Sequence, residues 1–383
     1  MKILHLMLSN FYIDDALYQE NILSNQNKSD GHDVEIIAST MTFNDDNSIK
    51  FIKPIEYYTK QGIKVTRVPY FKFINNNISE KIRVYKNLYN LIEISSPDII
   101  YSHGIGGYFS VTIARYIKRN LNVKLYIDIH SDYINSAKTF FSKYLLHYTF
   151  YRYCFWKYIK YVQKLYYIAP ESIIFLKELY GFKDEDKLQY MPLGGYVIKE
   201  SERIELRKIS RAKLNIPEND IVFIHSGKLS AIKKSLELFK AFTKIKSDKI
   251  WLVVSGVFDN DVFDSVKSII NNDKRILFLG WNSSKDLKKL LCASDVYIQP
   301  GARSVSVQTA VCHGCGLITN PSLVYTHLFG DLALYISNQN EIELMIIKIL
   351  NTPEIIVNQK KALKKFAENN LDYSVLANDY ILN

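Results

Sequence analysis

Two series of short apolar runs, each alternating with helical segments, organise this sequence. The runs of the first series are Lys2–Leu8, Val34–Ala38, Ile63–Val68, Asp98–His103 and Val123–Ile129. The runs of the second series are Ile221–His225, Ile250–Ser255, Ile276–Leu279, Asp295–Gln299 and Gly316–Asn320. Apolar runs of this length are typical of strands buried in a parallel sheet, whose connections are usually helices. The alternation therefore predicts an α/β protein with two doubly wound, Rossmann-like domains.

The chain is long enough for two such domains. Its 383 residues exceed the size that one hydrophobic core usually supports. Helices are predicted at Tyr18–Asn27, Ser79–Ile94, Tyr108–Asn120, Glu341–Leu350 and Pro353–Asn370. A charged stretch follows Pro192 and Gly194-Gly195, and we place the hinge near 195–215. We expect an N-terminal domain over residues 1–200, a C-terminal domain over 201–365, and a last helix over 366–383 that packs back on the N-terminal domain.

The balance of charges predicts an anionic partner. Lys and Arg outnumber Asp and Glu by 49 to 39, which gives a formal net charge of +10. A membrane surface, a phosphorylated substrate or nucleic acid fits that charge. However, no nucleic-acid-binding motif is present, and no G-x-G-x-x-G follows a strand. The sequence therefore disfavours a nucleic-acid-binding module and a nicotinamide-dependent enzyme.

The cysteines and the apolar segments bear on cofactors and compartment. Cys154, Cys292, Cys312 and Cys315 lie mostly in apolar surroundings, and no second pair at zinc-ligand spacing accompanies Cys312 and Cys315. We expect buried, reduced thiols and no metal. The first apolar run is too short for a signal peptide, and no window reaches the roughly 18 apolar residues of a membrane-spanning helix. These features predict a cytoplasmic protein.

The first run of the second series leads into a cluster of lysines. Gly227 follows the run, Lys228 comes next, and Lys233 and Lys234 precede a helix that begins at Ser235. Amide groups at a helix N-terminus and lysine ammonium groups both favour a bound anion, so this turn is a candidate diphosphate site. The alternative is a solvated lysine cluster in an ordinary strand-to-helix loop.

A family resemblance favours the diphosphate site. Gly227-Lys228, followed by Lys233, resembles the G-[RK]-x(n)-K phosphate-binding segment of family-four retaining glycosyltransferases, which have the GT-B fold. In that fold two Rossmann-like domains face each other across a cleft. The resemblance extends from Met1 to about Tyr380. It implies that Lys228 and Lys233 hold the diphosphate of a nucleotide-sugar, with Lys234 as a neighbouring alternative.

In the N-terminal half, the resemblance implies an acceptor site. The loop after the first run contains Asp14 and then Tyr18-Gln19-Glu20-Asn21, similar to the D-G-x-x-Y-Q-E-N segment of some capsule and exopolysaccharide transferases. These polar residues would bind sugar hydroxyl groups. The alternative is that Glu20 and Asn21 only begin and solvate a helix.

Two later loops of that half end buried strands with polar residues. His103 ends the fourth run, and the next run ends in Asp128-Ile129-His130-Ser131-Asp132. Family-four enzymes commonly place a histidine in the second of these two loops, close to the transferred sugar. The resemblance implies that His130 contacts that sugar, with Asp128 and Asp132 orienting it or facing the acceptor, and His103 nearby. A structural role for His130 is the alternative.

In the C-terminal half, the family's E-x7-E motif is replaced. Alignment on Gly314 puts Gly301 and Thr309 at the two glutamate positions, and a slip of one residue puts Pro300 and Gln308 there. Gln308 would bind a ribose hydroxyl. Gly280-Trp281 resembles the loop near the nucleotide base. The implied donor-binding residues are Gly227, Lys228, Lys233, Lys234, Gly280, Trp281, Arg303, Ser304, Val305, Ser306, Gln308 and Thr309.

The resemblance implies a retaining glycosyltransferase of the capsule, exopolysaccharide or O-antigen type. Such an enzyme transfers a sugar from a nucleoside-diphosphate sugar to a lipid-linked acceptor, of the polyisoprenoid-linked kind, or to a growing surface polysaccharide. The implied catalytic residues are His130, Asp128, Lys228 and Lys233, and no metal or other cofactor is expected because lysines neutralise the diphosphate. The alternative is an inactive GT-B subunit that supports a partner transferase, because neither glutamate is present.

One aromatic segment, Thr139–Ile168, suggests a membrane partner. Tyr, Phe and Trp crowd it, and Lys143, Arg152, Lys157, Lys160 and Lys164 lie among them. Aromatic rings suit the bilayer interface and cations suit anionic headgroups. We expect peripheral membrane contact through residues 139–164, at the inner face of the cell membrane. The alternative is a helix pair buried in the N-terminal domain, with only the lysine ammonium groups reaching water.

Overall fold

The computed structural model of the chain describes residues 1–14, 16, 18–44, 48–71 and 76–382. These residues form two compact units. The first is Met1–Pro192 together with the residues from Leu376 onward, and the second is Leu193–Val375. The division falls at 192/193, whereas the sequence places it at 200/201. Helix Glu354–Asn370 lies wholly in the second unit, so only the last part of the chain groups with the first.

The first unit is built around one large sheet. Its strands are β1 (Lys2–Met7), β2 (Asp33–Ser39), β3 (Met41–Phe43), β4 (Ile49–Phe51), β5 (Ile55–Tyr58), β6 (Lys64–Val68), β7 (Ile99–His103), β8 (Lys124–Ile129), β9 (Val162–Tyr167) and β10 (Leu188–Tyr190). Eight of them form a sheet in the order β10-β9-β8-β7-β1-β2-β6-β5. Only β5 runs antiparallel to its neighbour in that sheet, and β3 and β4 pair separately.

Helices connect these strands. They are α1 (Gln19–Ser29), α2 (Asn76–Ile82), α3 (Leu88–Ser95), α4 (Phe109–Arg119), α5 (Arg152–Tyr158) and α6 (Pro170–Phe175). A π-helical segment, Phe141–Tyr151, runs directly into α5, and we call the continuous element Phe141–Tyr158 the aromatic helix. Single turns lie at Ile159–Tyr161 and Glu185–Lys187, and a π-helical turn, Leu176–Tyr180, follows α6.

The second unit has a simpler sheet. Its strands are β11 (Ile221–Leu229), β12 (Ile250–Phe258), β13 (Ile276–Phe278), β14 (Val296–Gln299), β15 (Gly316–Thr319) and β16 (Leu334–Tyr335). They are all parallel, in the order β13-β12-β11-β14-β15-β16. Numbered within the unit, this is 3-2-1-4-5-6, the order of dinucleotide-binding folds.

The helices of the second unit cover both faces of its sheet as parallel strands require. They are α7 (Glu200–Leu214), α8 (Ser235–Lys244), α9 (Asn260–Asn272), α10 (Ser284–Ala293), α11 (Ser306–Cys312), α12 (Leu323–Phe329), α13 (Gln339–Asn351) and α14 (Glu354–Asn370), and α15 (Tyr373–Leu382) closes the chain. Single turns lie at Ala231–Lys233 and Gly330–Leu332. None of the helices in the described part of the chain is long and apolar enough to cross a bilayer.

These two units confirm the predicted fold class. All the predicted strands and most of the helices are present, because fully buried parallel strands leave continuous apolar runs in the sequence. The central strand β7 shows the reason, since each of its five residues is buried. The four cysteines are also buried and unpaired, as expected.

Two local predictions are wrong, and several strands were not predicted. Ser79–Ile94 is not one helix, because Arg83 and Asn87 adopt left-handed conformations that separate α2 from α3. The strand that begins at Ile221 does not end before Gly227 but continues to Leu229. Strand β9, which occupies Val162–Tyr167 at the end of the aromatic segment, was not predicted. The antiparallel strands β3, β4 and β5 were not predicted, because they are short and mostly exposed.

Candidate functional site

The strand order locates one candidate site in each unit. In doubly wound sheets, ligands bind beyond the carboxyl ends of the strands, where the strand order reverses. In the first unit this point lies between β1 and β7, and in the second between β11 and β14. The residues that the sequence singles out lie at the ends of these four strands and in the segments after them, at and after the end of β8, and in the loop after β13.

In the first unit, a chain of buried polar side chains crosses the sheet at this point. His103 Nδ1 donates a hydrogen bond to Asp128 Oδ2 at 2.6 Å, and the Gly104 amide donates to Asp128 Oδ1 at 2.7 Å. Behind His103, its Nε2 lies 3.0 Å from His5 Nδ1. His5 Nε2 in turn lies 3.1 Å from Asn27 Oδ1. The carboxylate of Asp128 is therefore held at a fixed orientation by groups from β1, β7 and α1.

His130 stands at the open end of this chain. Its Nε2 lies 3.4 Å from Asp128 Oδ1, and its side chain is 35% exposed. Burial lowers the pKa of His130, but the Asp128 carboxylate, with a smaller effect of Glu20, outweighs burial and raises that pKa to about 9. With Nε2 facing Asp128, His130 offers its Nδ1–H to a ligand at neutral pH.

The charge states of Asp128 and His5, which lie behind His130, are consistent with a protonated His130. Burial raises the pKa of Asp128, but His103 and His130 together hold it well below the usual range. Burial, together with the neighbouring His103, lowers the pKa of His5 to about 3, so His5 is neutral. The site therefore combines an ionised carboxylate with a cationic His130.

The start of α1 contributes unsatisfied polar groups. Gln19 is only 4% exposed, and neither of its amide atoms has a hydrogen-bond partner within the described residues. Asn21 donates to the Ile13 carbonyl at 3.0 Å, while its Oδ1 has no partner in that same part of the chain. A buried polar atom left unpaired costs about 1–3 kcal/mol, so ligand hydroxyl groups or water are expected to complete these bonds.

Other predicted residues of this half have structural contacts. Asp14 accepts hydrogen bonds from the Tyr57 hydroxyl at 2.6 Å and from the buried Arg67 guanidinium at 3.0 Å. Asp132 Oδ1 accepts from the amides of Ile134 and Asn135, which forms the turn after His130. Tyr18 is 43% exposed at the start of α1. Glu20, His103, Asp128 and His130 are the predicted residues that the structure brings together.

In the second unit, two facing glycines bring β11 and β12 into close contact. Gly227 has φ of 120° and pairs with Gly256, where a Cβ atom would lie 1.9 Å from the Gly227 carbonyl oxygen. A Cβ atom on Gly227 would lie 3.6 Å from Ser304 Oγ and 3.9 Å from Ser306 Oγ. Gly227 therefore forms the floor of a small cradle whose wall carries two serine hydroxyl groups.

The predicted lysines differ in their surroundings. Lys228 is exposed near the end of β11. Lys233 Nζ donates to the carbonyl oxygens of Ala302, at 2.8 Å, and of Arg303. Burial, with the nearby Arg303 charge, lowers the pKa of Lys233 to about 8. Lys234 is turned elsewhere, since its Nζ donates to the Ser337 carbonyl at 3.0 Å.

Gly301 permits the contact between Lys233 and the loop after β14. A Cβ atom at this position would lie 2.2 Å from the Ile232 carbonyl oxygen and 2.5 Å from Lys233 Cα. Any side chain would therefore push the two loops apart. This close approach explains why a glycine stands at one of the positions where the family has glutamate.

A hydroxyl cluster lies beneath the cradle. The Tyr297 hydroxyl donates to the Ser226 carbonyl at 3.1 Å and lies 3.3 Å from Ser226 Oγ. Ser304 Oγ donates to Ser306 Oγ at 3.3 Å, and the Ser304 amide donates to the Tyr325 hydroxyl at 2.8 Å. Because that amide is engaged, the serine hydroxyl groups and not the Ser304 N–H face the cradle.

Two buried glutamines, Gln308 and Gln299, lie at or next to the positions at which the family motif has glutamates. Gln308 is 4% exposed, and its Oε1 has no partner among the residues that the structure describes. Gln299 Nε2 donates to the Ala302 carbonyl at 2.8 Å, while its Oε1 is likewise unpaired in the described chain. Thr309 Oγ1 bonds back to the Val305 carbonyl, so Gln308 is the better-placed acceptor of a ligand hydroxyl group.

The loop after β13 presents an indole ring. Asn282 Nδ2 donates to Ser255 Oγ at 3.1 Å and to the Gly280 carbonyl at 3.0 Å, which pins the loop to β12. Gly280 has φ of 64°, a conformation that favours glycine. Trp281 between them is 70% exposed. An exposed ring on a fixed loop is suited to stacking against a planar group.

Sequence reasoning missed His5, Asn27, Tyr297 and Gln299. His5 and Tyr297 lie inside apolar strands, and Asn27 lies on the covered face of α1. A single polar residue within a buried strand is the signal that was available, since such a group needs a partner. The partners themselves lie far away in the chain, and the sequence does not identify them.

The two doubly wound units define the fold as GT-B, and solved structures agree. Sucrose-phosphate synthase from Thermosynechococcus elongatus is similar with a TM-score of 0.68 at 13% identity, over 99% of this chain and 96% of that chain. Anabaena HepE in complex with UDP gives 0.67 at 15% identity, over 99% and 98%. WaaG, a glycosyltransferase involved in lipopolysaccharide biosynthesis, gives 0.63 at 16% identity, over 99% of both chains. At these identities the likeness establishes the fold.

A protein-family model also matches part of the chain and identifies the class of enzyme. Residues 207–369 match the sequence model of Glycosyl transferases group 1. The match lies within the second unit and confirms the predicted class of enzyme, a glycosyltransferase. No curated protein matches the chain.

Proposed function

We propose that this protein is a retaining glycosyltransferase of the family-four type. It transfers a sugar from a nucleoside-diphosphate sugar to a lipid-linked or growing surface-polysaccharide acceptor. The observation that carries the proposal is the cradle of Gly227, Ser304 and Ser306, with Lys233 bonded to the same loop, in the part of the chain that matches the group 1 glycosyltransferase model. Two solved HepE structures contain UDP and UDP-glucose, which supports a nucleotide-sugar as the donor.

Stabilisation of the departing diphosphate is the main task of the donor site. An ammonium group has three N–H donors, and Lys233 uses two of them on carbonyl groups, so one is available to a phosphate oxygen. Exposed Lys228 supplies a second positive charge. Fixed charges aimed at the leaving group lower the barrier without reorganisation during the reaction. In this proposal lysines take the place of a metal ion. The departing phosphate accepts the proton of the acceptor hydroxyl group, which attacks the sugar on the face that the phosphate leaves.

The rest of the donor site fits the nucleoside and the sugar. Gln308 Oε1 would accept a ribose hydroxyl group, which satisfies its unpaired oxygen. Trp281 would stack on the base. Gln299 Oε1 is available to a hydroxyl group of either moiety. Neutral amides at Gln308 and at the neighbouring Gln299 would thus take over the role of the glutamates of the family motif.

His130 would act as a cationic hydrogen-bond donor and not as a base. Its pKa of about 9 keeps the ring protonated at neutral pH, and Asp128 occupies Nε2. The remaining Nδ1–H would bind a hydroxyl oxygen of the sugar. Gln19, Glu20 and Asn21 lie on the same side of the sheet and would bind acceptor hydroxyl groups, which would satisfy the unpaired atoms of Gln19 and Asn21.

Release of a nucleoside diphosphate tests the proposal directly. Incubation with a panel of nucleotide-sugars should give slow release with one donor, because water replaces the absent acceptor. An inactive subunit, the alternative that the missing glutamates suggest, would release none. Absence of release with every donor, with and without extracts that contain acceptors, would favour that alternative.

The acceptor would be reached from the cytoplasmic face of the membrane through the aromatic helix. Its inner face packs Phe155 and Tyr158 into the core. Its outer face and the residue before it leave a row of large apolar side chains 43–73% exposed: Phe140, Phe141, Tyr144, Leu145, Tyr148, Tyr153 and Trp156. No Asp or Glu occurs between Asp132 and Glu171. An apolar row with cations and without acidic groups is suited to an anionic bilayer surface.

We expect the double variant Lys157→Glu/Lys160→Glu to lose binding to vesicles that contain anionic lipid. Both lysines are exposed, whereas Lys164 donates to the Asp186 carbonyl and is left unchanged. Each basic residue near such a surface is worth about 1 kcal/mol, so two charge reversals should weaken binding at least about tenfold. Flotation of vesicles measures the loss.

The matched control is Lys361→Glu/Lys365→Glu, which makes the same change of charge at two exposed positions of α14. Binding should also weaken as salt is added, because charges are screened over about 10 Å at roughly 0.1 M. Equal vesicle binding by both double variants would rule out contact through the aromatic helix.

A further inference from the structure

The first unit also contains a cavity whose lining residues, apart from Asn135, are not among those of the candidate site. Its volume is about 420 Å³. It lies between α2, the turn that follows His130 and the first turns of the aromatic helix. This volume is within the range of small-ligand sites in proteins.

The charges around the cavity favour an anion. Lys81, Arg83 and Lys138 line it, and Glu80 is its one acidic lining residue within the described chain. Arg83 is fixed, since its Nη1 donates to the Gly106 carbonyl at 2.6 Å and its guanidinium lies 5.1 Å from the centre of the Tyr151 ring. Lys81 and Lys138 are exposed and are not held in this way.

Hydroxyl groups supplement these cations. Ser136, Thr139 and Ser142 also line the cavity. The amide of Ser142 donates to Thr139 Oγ1 at 3.2 Å, which places both residues at the start of the aromatic helix. Lysine and arginine cations combined with hydroxyl donors are the groups that recognise phosphoryl oxygens.

The cavity is linked directly to the candidate catalytic histidine. Asn135 forms part of its wall, and Asn135 Nδ2 donates to the His130 carbonyl at 2.7 Å. The Asn135 side chain also accepts from the Asp132 amide at 3.1 Å, so the wall and the His130 turn are one rigid loop. A group bound in the cavity therefore lies one short turn away from His130.

The cavity also adjoins the exposed apolar row. Phe140 and Phe141 are 73% and 72% exposed, immediately after the lining residue Thr139. A ligand that fits both surfaces has a phosphoryl head and an apolar tail. The tail would lie along the aromatic helix while the head occupies the cavity.

We propose that this cavity binds the diphosphate group of a polyisoprenoid-linked acceptor. The proposal rests on the proposed function and assigns a binding site to the diphosphate of its lipid-linked acceptor. Bound in this way, the acceptor would be anchored by its diphosphate beside Lys81 and Lys138, and its sugar would extend towards His130. Anchoring at a site apart from the reacting hydroxyl group converts binding energy into orientation.

The test compares binding of geranyl diphosphate and geraniol to the full-length chain. The variant is Lys81→Glu/Lys138→Glu, and the matched control is Lys118→Glu, an exposed lysine of α4. The fold should be preserved, because Lys81 contacts Tyr151 only through its backbone carbonyl. We expect the affinity for geranyl diphosphate to fall at least about tenfold in the double variant, since two attractive charges become repulsive. Affinity for geraniol, and binding by the control, should not change.

Unchanged affinity of the double variant for geranyl diphosphate would overturn the proposal. If that variant at the same time lost binding to anionic vesicles, the cations would be assigned to lipid headgroups. Failure of the proposed function is recognised separately, because no nucleotide-sugar would then release its diphosphate even though the cavity still binds geranyl diphosphate.

Discussion

Replacing Lys228 by alanine is expected to lower kcat at least about a hundredfold while the protein stays folded, since one lost contact to developing charge typically costs this much. Lys228 is exposed, so its ammonium group is available to the leaving diphosphate. Sugar transfer or nucleoside diphosphate release, measured at saturating donor, gives kcat, and the thermal unfolding midpoint reports stability.

Lys233→Ala should lose as much activity but should also lower the unfolding midpoint. Its Nζ holds the loop after β14 through the Ala302 and Arg303 carbonyls, and those acceptors would be left without it. Lys240→Ala, at an exposed position of α8, is the control for loss of a lysine. If Lys228→Ala turns over like Lys240→Ala, Lys228 does not contact the diphosphate.

The predictable part of this fold is the part that local pattern determines. Buried parallel strands such as β7 and β11 are recognisable because both of their faces are largely covered and each therefore begins with a run of apolar residues. The antiparallel strands β3, β4 and β5 lack this pattern, since their side chains are mostly exposed. The break between α2 and α3 depends on left-handed Arg83 and Asn87, for which the sequence gives little warning.

Of the candidate sites, only the residues at the strand ends and in the loops after them were predictable from the sequence. His130 and Lys228 follow strand ends, where doubly wound folds place ligands, and a sequence shows such positions. The residues that support these loops from behind are brought there by tertiary contacts. His5 meets His103 across 98 positions of the chain, and Gly301 meets Lys233 across two different loops. These contacts decide which of the predicted polar side chains are free to bind a ligand and which are structural, as for Asp14 and Asp132.

His130→Ala is expected to lower kcat at least about a hundredfold with little change in donor affinity. A hydrogen bond from a cation to the reacting sugar acts mainly in the transition state, so its loss appears in kcat. His130→Gln is the informative comparison, because an amide N–H is a neutral donor that does not titrate. It should retain part of the activity and lose its dependence on pH in the alkaline range. A large fall in the unfolding midpoint with unchanged kcat would assign His130 a structural role.

The pH dependence separates a cationic donor from a base. The pKa of His130 is raised to about 9 from 6.5, so the cation is present throughout the neutral range and is lost as pH rises through about 9. If the cation is the active form, kcat falls across that range. The same proton contributes stability that is fully present below pH 6.5 and is lost as pH rises to about 9. A general base would show the opposite trend in activity.

Asp128→Asn should move the fall of kcat at high pH, which we call the alkaline limb, to lower pH. The carboxylate is the group that raises the pKa of His130 against burial, so its removal leaves burial as the larger effect and only the smaller one of Glu20 against it. In this variant His103 still faces position 128, and the nearby Tyr158 hydroxyl stays neutral because burial, the largest cause of its raised pKa, remains. Glu20→Gln should shift the limb in the same direction but less, because Glu20 makes the smaller contribution. Titration of the His130 ring by NMR and the pH profile of kcat should give matching midpoints in all three proteins. A limb that stays near pH 9 in Asp128→Asn would show that the Asp128–His130 pair does not control the reaction.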